Sequence, residues 1–232
     1  MKSTPEGRRI RPTRRAFTEE HVVDAALELL DERGMSAVSI RSVATRLGVN
    51  PNAVYTYVAS RADLERAVVE RVLGAAALDP LTDPDKEWST AVVEFAHALR
   101  ILLLDHPAVA TLLMSAPMDG PAATDLGEAL LGCLARAGLS EPGAARAAYS
   151  IMVQVIGAVA LEVAETDGKP PIHPVPDRVA ARREAFEAVD AVRWPRTAAS
   201  VDVMAQWISA DQFEWSLRAL LEGIAVRAAD VR

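Results

Sequence analysis

A chain of 232 residues, half of them hydrophobic and 5% aromatic, has the material for a sizeable core and favours helices over sheets. No apolar run reaches the roughly 20 residues of a bilayer span, and the basic start MKSTPEGRRIRPTRR lacks the apolar segment of a secretory signal. The formal charge of −7 argues at first against nucleic acid. Yet residues 1–72 carry 12 Lys/Arg against 10 Asp/Glu, while the remainder carries 13 against 22. Six of the basic residues lie within the first 15 positions, so residues 1–16 read as a basic flexible arm, either a phosphate binder or a solvated tail. The single cysteine, Cys133, cannot form an intramolecular disulfide, which fits a reducing cytoplasm.

The first predicted helix runs from Thr18 to Arg33, with Glu19 and Glu20 in its first turn and Gly34 at its end. Val22, Val23, Ala26, Leu27 and Leu30 make its apolar stripe. A second helix starts at Ser39 and stops at Gly48. A third starts at Asn50, with Pro51 in its first turn, and runs to about Val58. Ser60 caps a fourth, from Arg61 to about Ala77. "DPLTDPDKE" is turn-rich and marks a boundary, giving units 17–78 and 79–232. Longer helices are predicted at about 86–105, 107–116, 122–137 and 141–166. Gly168–Asp177, with four prolines, reads as a loop, and helices at about 178–192 and 209–229 close the chain.

The short helices are the informative part. Ala44, Gly48 and Val54 follow the small, glycine, aliphatic spacing that lets two helices cross steeply in a helix-turn-helix. Two of the three tyrosines, Tyr55 and Tyr57, fall in that third helix. With Val54 and Val58 facing the core, Asn52, Ala53, Thr56 and Tyr57 lie on other faces. These are groups that can enter a major groove or meet phosphate. Tyr57 is expected to face DNA, and Tyr55 to divide between packing and DNA.

The stretch FTEEHVVDAALELLDERGMSAVSIRSVATRLGVNPNAVYTYVASRADLERAV resembles the DNA-binding domain of the Tet repressor (TetR) family. The motif elements are Gly34, Ser39, Gly48-Val49, Tyr55-Thr56-Tyr57 and Arg61. The resemblance implies that Arg41 reads a base and that Asn50, Pro51, Asn52, Ala53 and Thr56 face the groove. It implies phosphate contacts from Ser39, Tyr55, Tyr57 and Arg61. EWSTAVVEFAHALRILLLDHPAV and FEWSLRALLEGI are similar, more weakly, to the ligand-domain helices of tetracycline repressors. The expected fold is therefore all-α, a three-helix DNA-binding head joined to a larger helical domain for ligand binding and dimerisation.

That resemblance implies three partners: a double-stranded operator, a second copy of the chain, and a small organic effector. Trp88, Phe95, Leu103, Leu113, Met114, Met118, Tyr149 and Met152, with His97 and Gln154, are the candidate effector contacts. The positions that hold magnesium and drug in tetracycline repressors match Ala77, Phe95 and Leu113, none of which suits a metal or polar headgroup, so a more apolar effector is expected. Ala148, Ile151, Val155 and Val159 on one helix, and Phe213, Leu217, Leu220, Leu221 and Ile224 on the last, are expected at a two-fold dimer interface. No membrane partner, cofactor, metal or enzymatic activity is expected. His21, His97, His106 and His173 are well separated, with no HExxH, CxxC or Gly-rich phosphate loop. Two other readings stay open, a DNA-binding regulator without small-molecule control and a ligand-binding protein whose head does not bind DNA.

Overall fold

A computed structural model of the chain describes residues 17–115, 117–164 and 176–229. The basic arm, residues 1–16, and most of the proline-rich stretch predicted as a loop lie outside the described residues. Among the described residues every regular element is helical.

The head is built from α1 (Glu19–Arg33), a 3-10 turn (Met35–Ala37), α2 (Ile40–Leu47), α3 (Pro51–Val54) and α4 (Arg61–Leu73). Val22, Leu30, Val43, Val54 and Leu64 form its core, each at most 1% exposed. Gly48 ends α2 at φ +66°, in the left-handed region that costs a side chain about 1–2 kcal/mol. The tight turn lets the Val49 N–H donate to the Ala44 carbonyl at 2.9 Å. The third helix is shorter than its sequence suggested. It stops at Val54, and residues 55–57 turn instead. Val54, Tyr55, Thr56, Tyr57 and Val58 are β-branched or aromatic, and four residues of helix cannot offset that poor propensity. The fourth helix also stops early, at Leu73, where the Ala75 and Ala76 N–H groups turn to the carbonyls three residues back and tighten the chain into a turn.

The body begins with α5 (Asp79–Thr82), which the turn-rich sequence concealed. It continues through α6 (Trp88–Asp105), α7 (Pro107–Leu113), α8 (Pro121–Arg136) and α9 (Glu141–Ala164). The helices α6 and α7 meet at 111° around His106 and Pro107. By length and composition α9 could cross a membrane, but it packs against α6, α7, α8 and α13 (Ala210–Ala229) as a core helix. An outer layer of α10 (Pro176–Glu187), α11 (Pro195–Ala198) and α12 (Val201–Ala205) lies between α9 and α13 in sequence. The predicted helix at about 178–192 therefore starts at Pro176 and ends five residues sooner. The short helices after it carried no periodic signal.

Head and body meet where α1 packs on α7 and α4 packs on α7 and α8, with polar contacts on two sides. On one side, His106 Nδ1 lies 2.8 Å from the Asp31 carboxylate of α1. On the other, Glu70 of α4 accepts the Ala122 N–H at 2.8 Å, capping the first turn of α8, while Arg66 pairs with Asp119 at 3.3 Å. These contacts are what could carry a displacement from one unit to the other.

Candidate nucleic-acid interface and effector cavity

The head presents Arg41, Asn52, Tyr55 and Thr56 as exposed side chains on α2, α3 and the turn after it. Six Lys/Arg occur between residues 17 and 73, and five have a carboxylate within 4.0 Å: Arg33, Arg46, Arg61, Arg66 and Arg71. Arg41 alone among them has none, and its guanidinium makes no hydrogen bond to the described residues. An exposed, unneutralised guanidinium beside a short polar helix can fork onto guanine or meet a phosphate.

Other predicted contacts have local duties. Ser39 caps α2, its hydroxyl accepting the Ser42 N–H at 3.1 Å. Asn50 Oδ1 caps α3 by accepting the Asn52 N–H at 2.9 Å, leaving its amide donors outward. Pro51 and Ala53 are half-buried. Arg61 donates from Nε to Glu65 at 2.7 Å and from Nη2 to the Met35 carbonyl at 3.1 Å. The two tyrosines, both partly exposed, differ in their surroundings. Tyr57 packs its ring 5.2 Å from Phe17 and donates its hydroxyl to the Phe17 carbonyl at 2.7 Å, while Tyr55 is the more exposed, at 53%. The Phe17 carbonyl satisfies the one proton that Tyr57 could give to a phosphate.

In the body, a cavity of about 730 Å³ opens between α6, α9 and the start of α13. Gly157, Ala158 and Ala160 line it from α9, and Trp207, Ile208 and Phe213 from α13 and the segment leading into it. Buried in this largely apolar space are Arg100 and Glu162, paired at 2.7 Å, with the Arg100 guanidinium 5.4 Å from the Phe213 ring centroid. Gln154 donates from Nε2 to the Ser216 hydroxyl at 2.7 Å on the same wall.

Of the effector contacts predicted from sequence, Met114 and Gln154 line this cavity. Phe95, Leu103 and Leu113 do not; they are packed into the core. Trp88 sits in a separate, smaller depression with Ser89, Val93 and Arg218. Met118 and Tyr149 are exposed, Met152 is half-buried against the core, and His97 packs edge-on against Phe213 outside the cavity. Among the residues missed as cavity wall are Arg100, Glu162, Trp207 and Phe213. A usable signal existed for the first two, a lone charge inside AHALRILLL and inside VIGAVALEVA.

A family model described as "Bacterial regulatory proteins, tetR family" matches residues 22–68, and one described as "Tetracyclin repressor-like, C-terminal domain" matches residues 80–228. The chain belongs to the TetR family. An HTH-type transcriptional regulator of Saccharopolyspora erythraea is 32% identical over 150 residues, 65% of this chain; the chain spans 63% of that relative's length. The tetracycline repressor protein class A from transposon 1721 of Escherichia coli is 27% identical over 211 residues, covering 91% of this chain and 92% of that one. A possible TetR family transcriptional regulator from Streptomyces coelicolor A3(2), solved as a crystal structure, is 32% identical at a TM-score of 0.76, with 91% and 100% covered.

Within this TetR-family chain the two faces expected at a dimer interface are spent elsewhere. Ile151, Val155, Val159, Phe213, Leu217, Leu221 and Ile224 are buried within one subunit, and Ala148 and Leu220 are half-buried against the same core. The large apolar side chains that α9 and α13 leave exposed are Tyr149, Val153, Leu161, Trp215 and Val226, of which Val153 and Leu161 also line the cavity. Periodicity found an apolar stripe on each helix but could not separate the face buried at home from the face left over. Cys133 is buried, its thiol pushed up by desolvation and set 3.6 Å from the Trp88 carbonyl, a packing role. The described residues contain no group of three or more His, Cys, Asp or Glu placed to hold a metal.

Proposed function

We propose that this TetR-family regulator is a repressor that binds a palindromic operator as a homodimer and leaves it when a small, largely apolar organic effector enters the body. The observation that carries the DNA half is the unpaired Arg41 beside exposed Asn52, Tyr55 and Thr56. The basic arm would add affinity that is independent of sequence. Dimerisation is supported by the exposed Tyr149, Val153, Leu161, Trp215 and Val226 on two neighbouring helices. Two such faces related by a two-fold axis would bury each other and set two heads about 34–36 Å apart, one turn of DNA. The cytoplasm is the compartment this work requires.

The cavity supports the sensor half and weighs against a regulator with a solid body. Effector binding releases DNA only if the two states differ in affinity for it. The Glu70 cap on α8 and the Asp31–His106 contact are routes by which a shift of the body would tilt α4 and α1. The test is fluorescence anisotropy against duplex from upstream of the protein's own gene, with a scrambled duplex as control at two salt concentrations. Selective binding that Arg41→Ala weakens by about 1–3 kcal/mol is expected. Equal binding to both duplexes, lost with salt, would overturn the operator reading.

A further inference from the structure

The basic arm joins the head beside the turn that closes α3. Residues 1–16 hold six Lys/Arg and one acid, Glu6, and the described chain begins with Phe17. Where the arm ends, the main chain is fixed at two successive positions. The Phe17 carbonyl accepts the Tyr57 hydroxyl at 2.7 Å, with the two rings 5.2 Å apart. The Thr18 N–H donates to His21 Nδ1 at 3.1 Å, within the cap of α1. The second tie is local to α1. The first joins the root of the arm to the turn that carries exposed Tyr55 and Thr56. Val54 and Val58 already anchor that turn in the core, at 0% and 4% exposure. The turn therefore has little need of the Tyr57 hydroxyl, and what the bond fixes is Phe17.

Two acceptors compete for the charges of the arm. Glu19, Glu20, Asp63 and Glu70 line a groove of about 550 Å³ that Tyr57 borders, but Arg66 and Arg71 stand in the same groove and offset half of that charge. Duplex DNA carries about one negative charge per 1.7 Å of its axis and releases counterions when cations bind, so it is the stronger acceptor. Sixteen residues reach at most about 55 Å, more than one turn of DNA. An arm loose at its root would spread its cations over all of that reach. An arm fixed at Phe17 delivers them next to the half-site that α3 of the same subunit occupies. We infer that Tyr57 is a positioning residue for DNA binding, a role that rests on the operator reading above. Through Phe17 it aims the arm at the phosphates flanking the half-site, and it does not itself touch DNA.

The experiment is fluorescence anisotropy of the full chain on operator and scrambled duplexes across a salt series. Four proteins are compared: the wild type, Tyr57→Phe, the arm variant R8Q/R9Q/R11Q/R14Q/R15Q, and the two changes combined. Tyr57→Phe keeps the ring against Phe17 and removes only the hydroxyl bond, and circular dichroism checks that the head stays folded. The arm variant should weaken binding at least tenfold at low salt and make the salt slope shallower by about three, since each phosphate contact contributes about 0.9. With the natural arm, Tyr57→Phe should weaken binding about fivefold and make the slope shallower by about one. In the arm variant the same change should cost less than twofold, because its effect passes through the arm. Equal losses in both backgrounds would mean that the hydroxyl meets phosphate itself or only steadies the head, and would overturn the inference. An arm variant that binds as well as the wild type, or better, would place the arm on the groove of Glu19 and Glu20 and overturn it too. Phosphate contacts do not read sequence, so the cycle on the scrambled duplex decides the role of Tyr57 even where no operator is recognised. Failure of the wild type to prefer the operator would overturn the repressor reading alone.

Discussion

Tyr57 and Tyr55 are separated by one residue and have different physical work. The Tyr57 hydroxyl ties the turn after α3 to Phe17, forty positions earlier, and its ring closes over Phe17. Tyr57→Phe keeps the ring and loses the bond, so urea unfolding should show a loss of about 1 kcal/mol. Tyr55→Phe should leave stability within about 0.5 kcal/mol and act on operator affinity. If the two variants exchange these effects, the assignment of packing to Tyr57 is wrong. The same division separates Arg41 from Arg46 on α2. Arg46 is tied to Glu28 and Glu32 of α1, raising its own pKa and lowering that of Glu32, while Arg41 is left to a partner outside the chain. Both tyrosines and both arginines were visible as candidates. Their roles depend on a carbonyl and on carboxylates supplied by another helix, which no local spacing encodes.

At the scale of elements, α4 and α8 meet through a cap supplied across the domain junction. Gly120, the N-cap residue of α8, has no side chain with which to satisfy the helix's first N–H groups, and the Glu70 carboxylate does so from α4. A Cβ on Gly120 would run into that carboxylate. Gly120→Ala should therefore displace Glu70 and mimic Glu70→Ala, each lowering stability by about 1 kcal/mol, the usual worth of a lost cap. Neither residue lies on the DNA-facing surface or lines the large cavity. A change in the ratio of operator affinities with and without effector, measured by anisotropy, would mark the cap as part of the coupling. An unchanged ratio would make it purely structural. The predicted helices matched the structure where an apolar stripe ran for three turns or more, as in α1 and α6. They failed at α3, α5, α11 and α12, where five residues or fewer leave tertiary packing to decide.

Over the whole molecule, the head rests on the body partly through a titratable pair. His106 is held above its ordinary value of 6.5 by its hydrogen bond to Asp31, against the opposing effect of burial and with help from the charges of Asp31 and Asp105. A raised histidine contributes stability that is fully present below pH 6.5 and is lost as pH rises through the folded-state pKa. The thermal midpoint of the wild type should thus decline on raising the pH from 6 to 8.5 more steeply than that of His106→Gln. Parallel curves would show that the pair contributes nothing to the junction.

The sequence alone determined the all-helical class, the helix-turn-helix and the family, because these rest on local chemistry. Apolar residues at helical spacing, Gly48 where φ must be positive, and Ser39 and Asn50 as caps all act within a few residues of one another. Only the tertiary structure decided which apolar stripe of α9 and α13 is core and which remains exposed. It alone set the cavity beside Arg100 and Glu162 and filled the space around Phe95 and Leu103. Burial is a property of a helix's neighbours, and residues 62 positions apart become a pair only when α6 and α9 pack.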